Sequence, residues 1–193
     1  MKRKFILNLI FLFTIFSFNT AGIAGSNFIS MDETVEVLRH AFNNDRGKLR
    51  VLMYVSPTCG GCLRGAKLTN NEVLAELPGV DLSVYVVWAP KNGAREKHVD
   101  RVLDLVTDER ATQYWDEHGT IVDAYDTMYS IEGRPCAGVF MLYEPDAEWG
   151  ADGPPKPVYY VDAHAREFQR TAGSQFDAQQ LAEEARRILR EST

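Results

Sequence analysis

The sequence predicts a mixed α/β domain, a central sheet flanked by helices. Three observations point there. β-rich apolar runs at 49–55, 80–88, 137–143 and 158–161 alternate with helical stretches and end in an antiparallel pair. A Cys-x-x-Cys motif, Cys59-Gly60-Gly61-Cys62, falls where the first run passes into a helical segment. Pro135 stands shortly before the third run.

The elements follow in chain order. Lys2-Arg3-Lys4, then an apolar stretch from Phe5 to Phe18, then small residues at Ala21, Gly22, Ala24 and Gly25, read as a secretory signal over 1–24. The stretch falls short of the roughly 18 apolar residues of a membrane span, and an uncleaved anchor is the alternative. Residues 25–193 are expected to form a single domain.

Ser30-Met31-Asp32-Glu33 fits a capping box, and Met31, Val35, Leu38 and Phe42 then recur at helical spacing up to a stop at Asn43 to Gly47. A strand over 49–55 leads into the Cys-x-x-Cys helix, which runs to about Leu77 before Pro78-Gly79. The continuous apolar character of Val84 to Val87 suits a central strand covered on both faces. From Ala94 to about Ile131 the pattern is charged, and Val99, Val102, Leu103 and Val106 make one apolar stripe, which predicts a helical insertion. Gly133-Arg134-Pro135 breaks the chain before the strand 137–143. A Pro/Gly/Asp-rich loop leads to the strand 158–161. The final helix has Asp177 as N-cap, Gln180 three residues on, and ends near Arg190.

Composition narrows the function. The chain has 193 residues, three cysteines and a formal net charge of −6. Residues 1–24 carry three positive charges and no acidic ones, so their removal moves the charge from −6 to −9. An acidic chain argues against nucleic-acid or anionic-membrane binding. A domain of this size can build an apolar core without disulfide staples, so its cysteines point to chemistry.

A thiol pair at this spacing, at the first turn of a helix, can close into a disulfide and reopen. Unsatisfied N–H groups and the helix dipole favour negative charge there, which makes Cys59 the candidate nucleophile. Cys62, one turn in, is the candidate resolving thiol. The pair alone also allows a structural disulfide or a metal site, although zinc would need four ligands.

With Cys59-Gly60-Gly61-Cys62 after the strand 49–55 and Pro135 before the strand 137–143, the chain resembles the thioredoxin superfamily over about 30–191. The resemblance implies a thioredoxin-like fold with a helical insertion (94–131) before a cis proline. It implies that Pro135 sits against the redox pair and shapes a peptide-binding edge together with Arg134. It also places Cys136 close to the thiols. The topology brings the 88–93 loop and the end of the strand 158–161 to the thiol pole, which makes Trp88, Lys91 and His164 candidate rim residues. Two positions depart from the family: Thr58 replaces the tryptophan before the first cysteine, and Met53 replaces a buried acid. The implied function is an exported thiol–disulfide oxidoreductase acting on protein thiols or disulfides with a redox partner protein. No organic cofactor and no resident metal are implied. The direction of exchange is open. A rival reading is a non-enzymatic soft-metal binder using Cys59, Cys62 and Cys136, and a third is a redox-silent interaction module.

Overall fold

A computed structural model describes residues 27–31, 33–129, 138–162 and 176–192. In chain order the elements are β1 (Ile29–Met31), α1 (Glu36–Asn44), β2 (Leu49–Val55), α2 (Gly60–Leu68), β3 (Leu82–Trp88), β4 (Ala111–Asp116), α3 (Thr120–Tyr129), β5 (Val139–Tyr143), β6 (Tyr159–Asp162) and α4 (Ala178–Glu191). They build one six-stranded sheet in the order β1-β4-β3-β2-β5-β6. β1, β4, β3 and β2 run parallel, and β5 and β6 are antiparallel to their neighbours. This is the mixed sheet flanked by helices that the sequence predicts.

β2 and β3 occupy the centre, and every residue in both is buried. That explains their continuous apolar runs, since a strand covered on both faces has no polar side. Side chains alternate between faces. Leu52 and Tyr54 look toward α1 and α3, where Phe42, Tyr85, Tyr143, Tyr125 and Trp149 form a chain of aromatic contacts with ring centroids 5.0–5.9 Å apart. Val51, Met53 and Val55 look toward α2 and α4.

Arg50 is the one charge inside β2. Its guanidinium is fully buried and lies 4.3 Å from the centroid of the Phe42 ring. Nη1 donates to the carbonyls of Phe42 (3.1 Å) and Ala147 (2.9 Å), and Nη2 donates to that of Glu144. Three backbone acceptors from two segments thus replace the hydration of its terminal nitrogens, while the buried Nε has no hydrogen-bond partner among the described residues.

α2 continues into a π-helical turn, Thr69–Leu74, where the Thr69 hydroxyl donates to the Gly65 carbonyl at 2.9 Å. Arg110 closes the far end of this helical unit by donating to the carbonyls of Leu74 (3.0 Å) and Leu77 (2.7 Å). The same guanidinium is paired with Asp108 at 2.6 Å. α2 also lies close on β5: a Cβ added at Gly65 would fall 2.5 Å from Phe140 Cζ.

Several expectations are corrected. Ser30 does not cap a helix. It sits in β1, paired with Trp115, and its hydroxyl donates to Glu96 at 2.7 Å. α1 begins five residues after Met31 and has no side-chain cap. A short edge strand has claimed residues whose pattern suited a helix start. The stretch 94–131 is not wholly helical either. It holds two 3-10 turns (Glu96–Arg101 and Leu103–Leu105), then β4, then α3. Tyr114, Trp115 and Asp116 therefore belong to the sheet. Asp116 is fully buried, and its carboxylate accepts from the N–H groups of Thr120 (2.9 Å) and Ile121 (3.0 Å) at the start of α3. The cap of the last helix is as expected, with Asp177 accepting from the Gln180 N–H at 3.0 Å. The expected signal 1–24 lies outside the described residues. Among those described, no helix is long and apolar enough to cross a membrane.

Candidate functional site

β2 delivers the chain to the thiols. After Val55 the segment Ser56-Pro57-Thr58 turns, and Cys59 enters as the N-cap of α2 in an extended conformation (φ −103°, ψ 110°). Its sulfur accepts a hydrogen bond from the Cys62 N–H at 3.4 Å. A helix start leaves N–H groups without backbone partners, and here a sulfur takes the place of the usual capping oxygen.

The two cysteines sit in different surroundings. Cys59 is 9% exposed and Cys62 is fully enclosed. Gly60 and Gly61 are exposed, and no described atom lies within 4 Å of where their Cβ atoms would be. Among the described residues the approach to Cys59 is thus open on the glycine side. Burial pushes the Cys62 thiol up to about 12, its hydrogen bond to Cys59 adds to the rise, and a backbone hydrogen bond at Ser56 opposes it. The floor beneath α2 explains the burial: Val51, Met53 and Val55 are apolar and fully buried. Met53, at the position where the resemblance implies an acid, pairs with Val86 and Phe140.

The turn before Cys59 is tied to the loop after β3. The Ser56 hydroxyl, fully buried, donates to the Lys91 carbonyl at 2.9 Å. The Thr58 hydroxyl lies 3.2 Å from the carbonyls of both Lys91 and Asn92, and 3.1 Å from Ser56 Oγ. Asn92 (φ 54°) and Gly93 (φ 71°) take left-handed backbone, which folds the loop back so that consecutive carbonyls face the hydroxyls. The Ala89 N–H donates to the Val55 carbonyl at 2.7 Å, extending the β2–β3 pairing into the same loop. No local sequence pattern points to these hydroxyls: Thr58 stands out in the sequence only as a departure from the family pattern, and the carbonyls it meets are more than thirty residues away.

Of the expected site residues, Cys59 and Cys62 come together as predicted. Lys91 borders the thiol turn through its backbone. Trp88 does not reach the rim. It is fully buried, and its indole N–H donates to Gln113 Oε1 at 2.9 Å. β4 lies beside it, with Trp88 paired to Trp115 and its indole held by Gln113, and with no exposed surface it offers substrate none. Arg134, Pro135, Cys136 and His164 lie outside the described residues. Among the described residues no group of three or more His, Cys, Asp or Glu side chains is placed to hold a metal ion.

No protein-family model matches the sequence, and no curated protein matches it. Solved structures do. A secreted Mycobacterium tuberculosis disulfide oxidoreductase homologous to E. coli DsbE is 17% identical, with a TM-score of 0.44 over 75% of this chain and 85% of that one. The thioredoxin domain of a Bacteroides vulgatus thiol–disulfide oxidoreductase is 13% identical, with a TM-score of 0.42 over 66% and 81%. Arabidopsis thaliana ScoI with copper bound is 12% identical, with a TM-score of 0.49 over 77% and 87%. The parallel strands up to the central β2, the antiparallel β5 and β6 beyond it, and a cysteine pair opening the helix after β2 make this a thioredoxin-like fold.

Proposed function

We propose that the protein is an exported thiol–disulfide oxidoreductase acting on protein thiols or disulfides through Cys59 and Cys62. The observation that carries the reading is the asymmetry of the pair. One sulfur caps a helix beside two exposed glycines, and the other is enclosed one turn further in. Export rests on the leader-like residues 1–24.

In the reducing direction the Cys59 thiolate attacks one sulfur of a substrate disulfide. A Cys59–substrate disulfide forms, the substrate S–S bond breaks, and the displaced sulfur leaves as a thiolate that takes a proton from water. Cys62 then gives up its proton and attacks Cys59 Sγ, closing the Cys59–Cys62 disulfide and releasing the second substrate thiol. Two electrons pass from the protein pair to the substrate, and a partner dithiol protein restores them. The oxidising direction is the same sequence reversed, with a partner disulfide as acceptor. Enclosure of Cys62 makes the Cys59–substrate disulfide the longer-lived intermediate.

The test is insulin reduction and thiol oxidation by wild type, Cys59→Ser and Cys62→Ser. Cys59→Ser is expected to lose turnover, and Cys62→Ser to accumulate the Cys59–substrate disulfide on a non-reducing gel. Equal turnover by wild type and Cys59→Ser would sink the assignment. A second reading, soft-metal binding by Cys59, Cys62 and Cys136, draws support from Met53 in place of an acid. Cu(I) titration of wild type and Cys136→Ser tests it, and equal stoichiometry and affinity would count against it.

A further inference from the structure

Charge is distributed unevenly about the thiols. The segments 56–67 and 89–101 carry six basic residues, Arg64, Lys67, Lys91, Arg95, Lys97 and Arg101, against two acidic ones, Glu96 and Asp100, in a chain whose net charge is −6. Five of the six are exposed, and Lys91 is half-buried. On α2 the exposed positions are Gly60, Gly61, Arg64 and Lys67. They form one stripe that begins at the thiol end and places Arg64 and Lys67 about 6 and 10 Å along the axis from Gly60. The Thr58 bonds to Lys91 and Asn92 hold the start of the second segment beside the thiol turn, from which it runs on across the end of the sheet toward β1. Ser30 holds Glu96 near the end of β1 on the same side of the sheet.

Among the described residues these cations also stand outside any ion pair: the pairs there use Arg39, His40, Arg46, Lys48, Arg110, Arg186 and Arg187, and none of the six. Six of the nine described lysines and arginines elsewhere pair with carboxylates, whereas five of the six in these two segments are exposed and outside any ion pair among the described residues. In an acidic protein such a patch draws opposite charge toward Cys59, the less enclosed of the two described cysteines.

We propose that this basic rim is a docking surface for acidic polypeptide, and that the preferred substrates carry Asp or Glu beside the reacting cysteine. The inference rests on the oxidoreductase reading and names its substrate class. The rim acts at the encounter: it raises the association rate of acidic segments and disfavours basic ones, and leaves the exchange chemistry to the thiols.

The experiment uses two disulfide-bonded peptides that differ only in whether glutamates or lysines flank the cysteines, with neutral 4,4′-dithiodipyridine as a third substrate. At low ionic strength the reduced wild-type protein is expected to reduce the glutamate peptide roughly tenfold faster than the lysine peptide. The ratio should approach one at about 1 M salt, where the screening length is about 3 Å. It should also fall in Arg64→Gln/Arg95→Gln/Lys97→Gln and stay high in the control Lys156→Gln/Arg190→Gln, whose cations lie outside both segments. A ratio near one at low salt, or a ratio untouched by salt and by the triple variant, overturns the docking surface while the oxidoreductase reading stands. No thiol-dependent reaction with dithiodipyridine would overturn both.

Discussion

Burial, with a hydrogen bond to Cys59 adding to it, pushes the Cys62 thiol up to about 12 from the ordinary cysteine value of 9.0. The unfolded chain carries the ordinary group, so between those two values it gives up a proton that the folded protein keeps. The contribution of this group to stability is therefore fully present below about pH 9 and is lost as pH rises through about 12. Urea melts of the reduced protein from about pH 8 to about pH 11 should show a midpoint that falls with pH. Cys62→Ala should show a shallower fall, and parallel curves would contradict the burial described. The two cysteines were legible in the sequence because their meaning is local: a short spacing at a strand–helix junction. Trp88 was not. It closes an apolar run beside a loop, and only the neighbouring β4, whose Gln113 accepts from its indole, shows that it is enclosed. Ser56 and Thr58 act on carbonyls of residues 91 and 92, a relation that no local pattern encodes.

At the scale of elements, the position of α2 over the sheet depends on one missing side chain. Phe140 is fully buried, with its ring centroid 4.4 Å from that of Phe176, so it has little room to yield to a methyl group at Gly65. Gly65→Ala should cost about 1–3 kcal/mol through overpacking, despite the better helix propensity of alanine. Combining it with Phe140→Leu should recover part of the loss, and thermal melts of the three variants would show whether the two sites couple. A strictly additive double variant would argue against this contact. The same scale explains the misreading of 94–131. Val99, Val102, Leu103 and Val106 have helical spacing, but 3-10 turns bury Val99, Val102 and Val106 as well as an α-helix would. β4 is half-exposed over its first three residues and draws its order from β3 and β1, so its sequence carries little strand signal of its own. Ser30 shows the converse case, a good local capping pattern overridden by pairing with residues more than eighty positions away.

For the whole molecule, β2 separates two tasks. Its C-terminal end delivers the thiols, and its N-terminal half carries Arg50, which binds α1 to the segment after β5. The two ends are about 20 Å apart along the strand. Arg50→Met removes the donor from three carbonyls and should lower the unfolding free energy by about 2–4 kcal/mol. Disulfide-exchange rates of the folded variant should stay near wild type, because among the described residues the hydrogen-bond partners of Arg50 are the carbonyls of Phe42, Glu144 and Ala147, away from the thiol turn. Denaturant melts paired with exchange kinetics would test this, and a large rate change in a folded variant would contradict the separation. The mixed sheet was legible from the alternation of elements, whereas its edge β1 was not, being three residues long and recognisable only beside β4.

The central place of β2 also bears on how the molecule opens. All seven of its residues are buried, and it is hydrogen-bonded to a full-length neighbour on one side and to β5 on the other. Local fluctuations begin at frayed edges, here β1 and β6, while amides of a central strand are released only by near-global unfolding. In native-state hydrogen exchange the amides from Val51 to Val55 should therefore exchange last, close to the global limit, with those of β1 far faster. The cysteine pair hangs from the end of that last-opening strand. Partial unfolding would strip the periphery while the reacting sulfurs kept their spacing, so redox competence should outlast much of the fold around it.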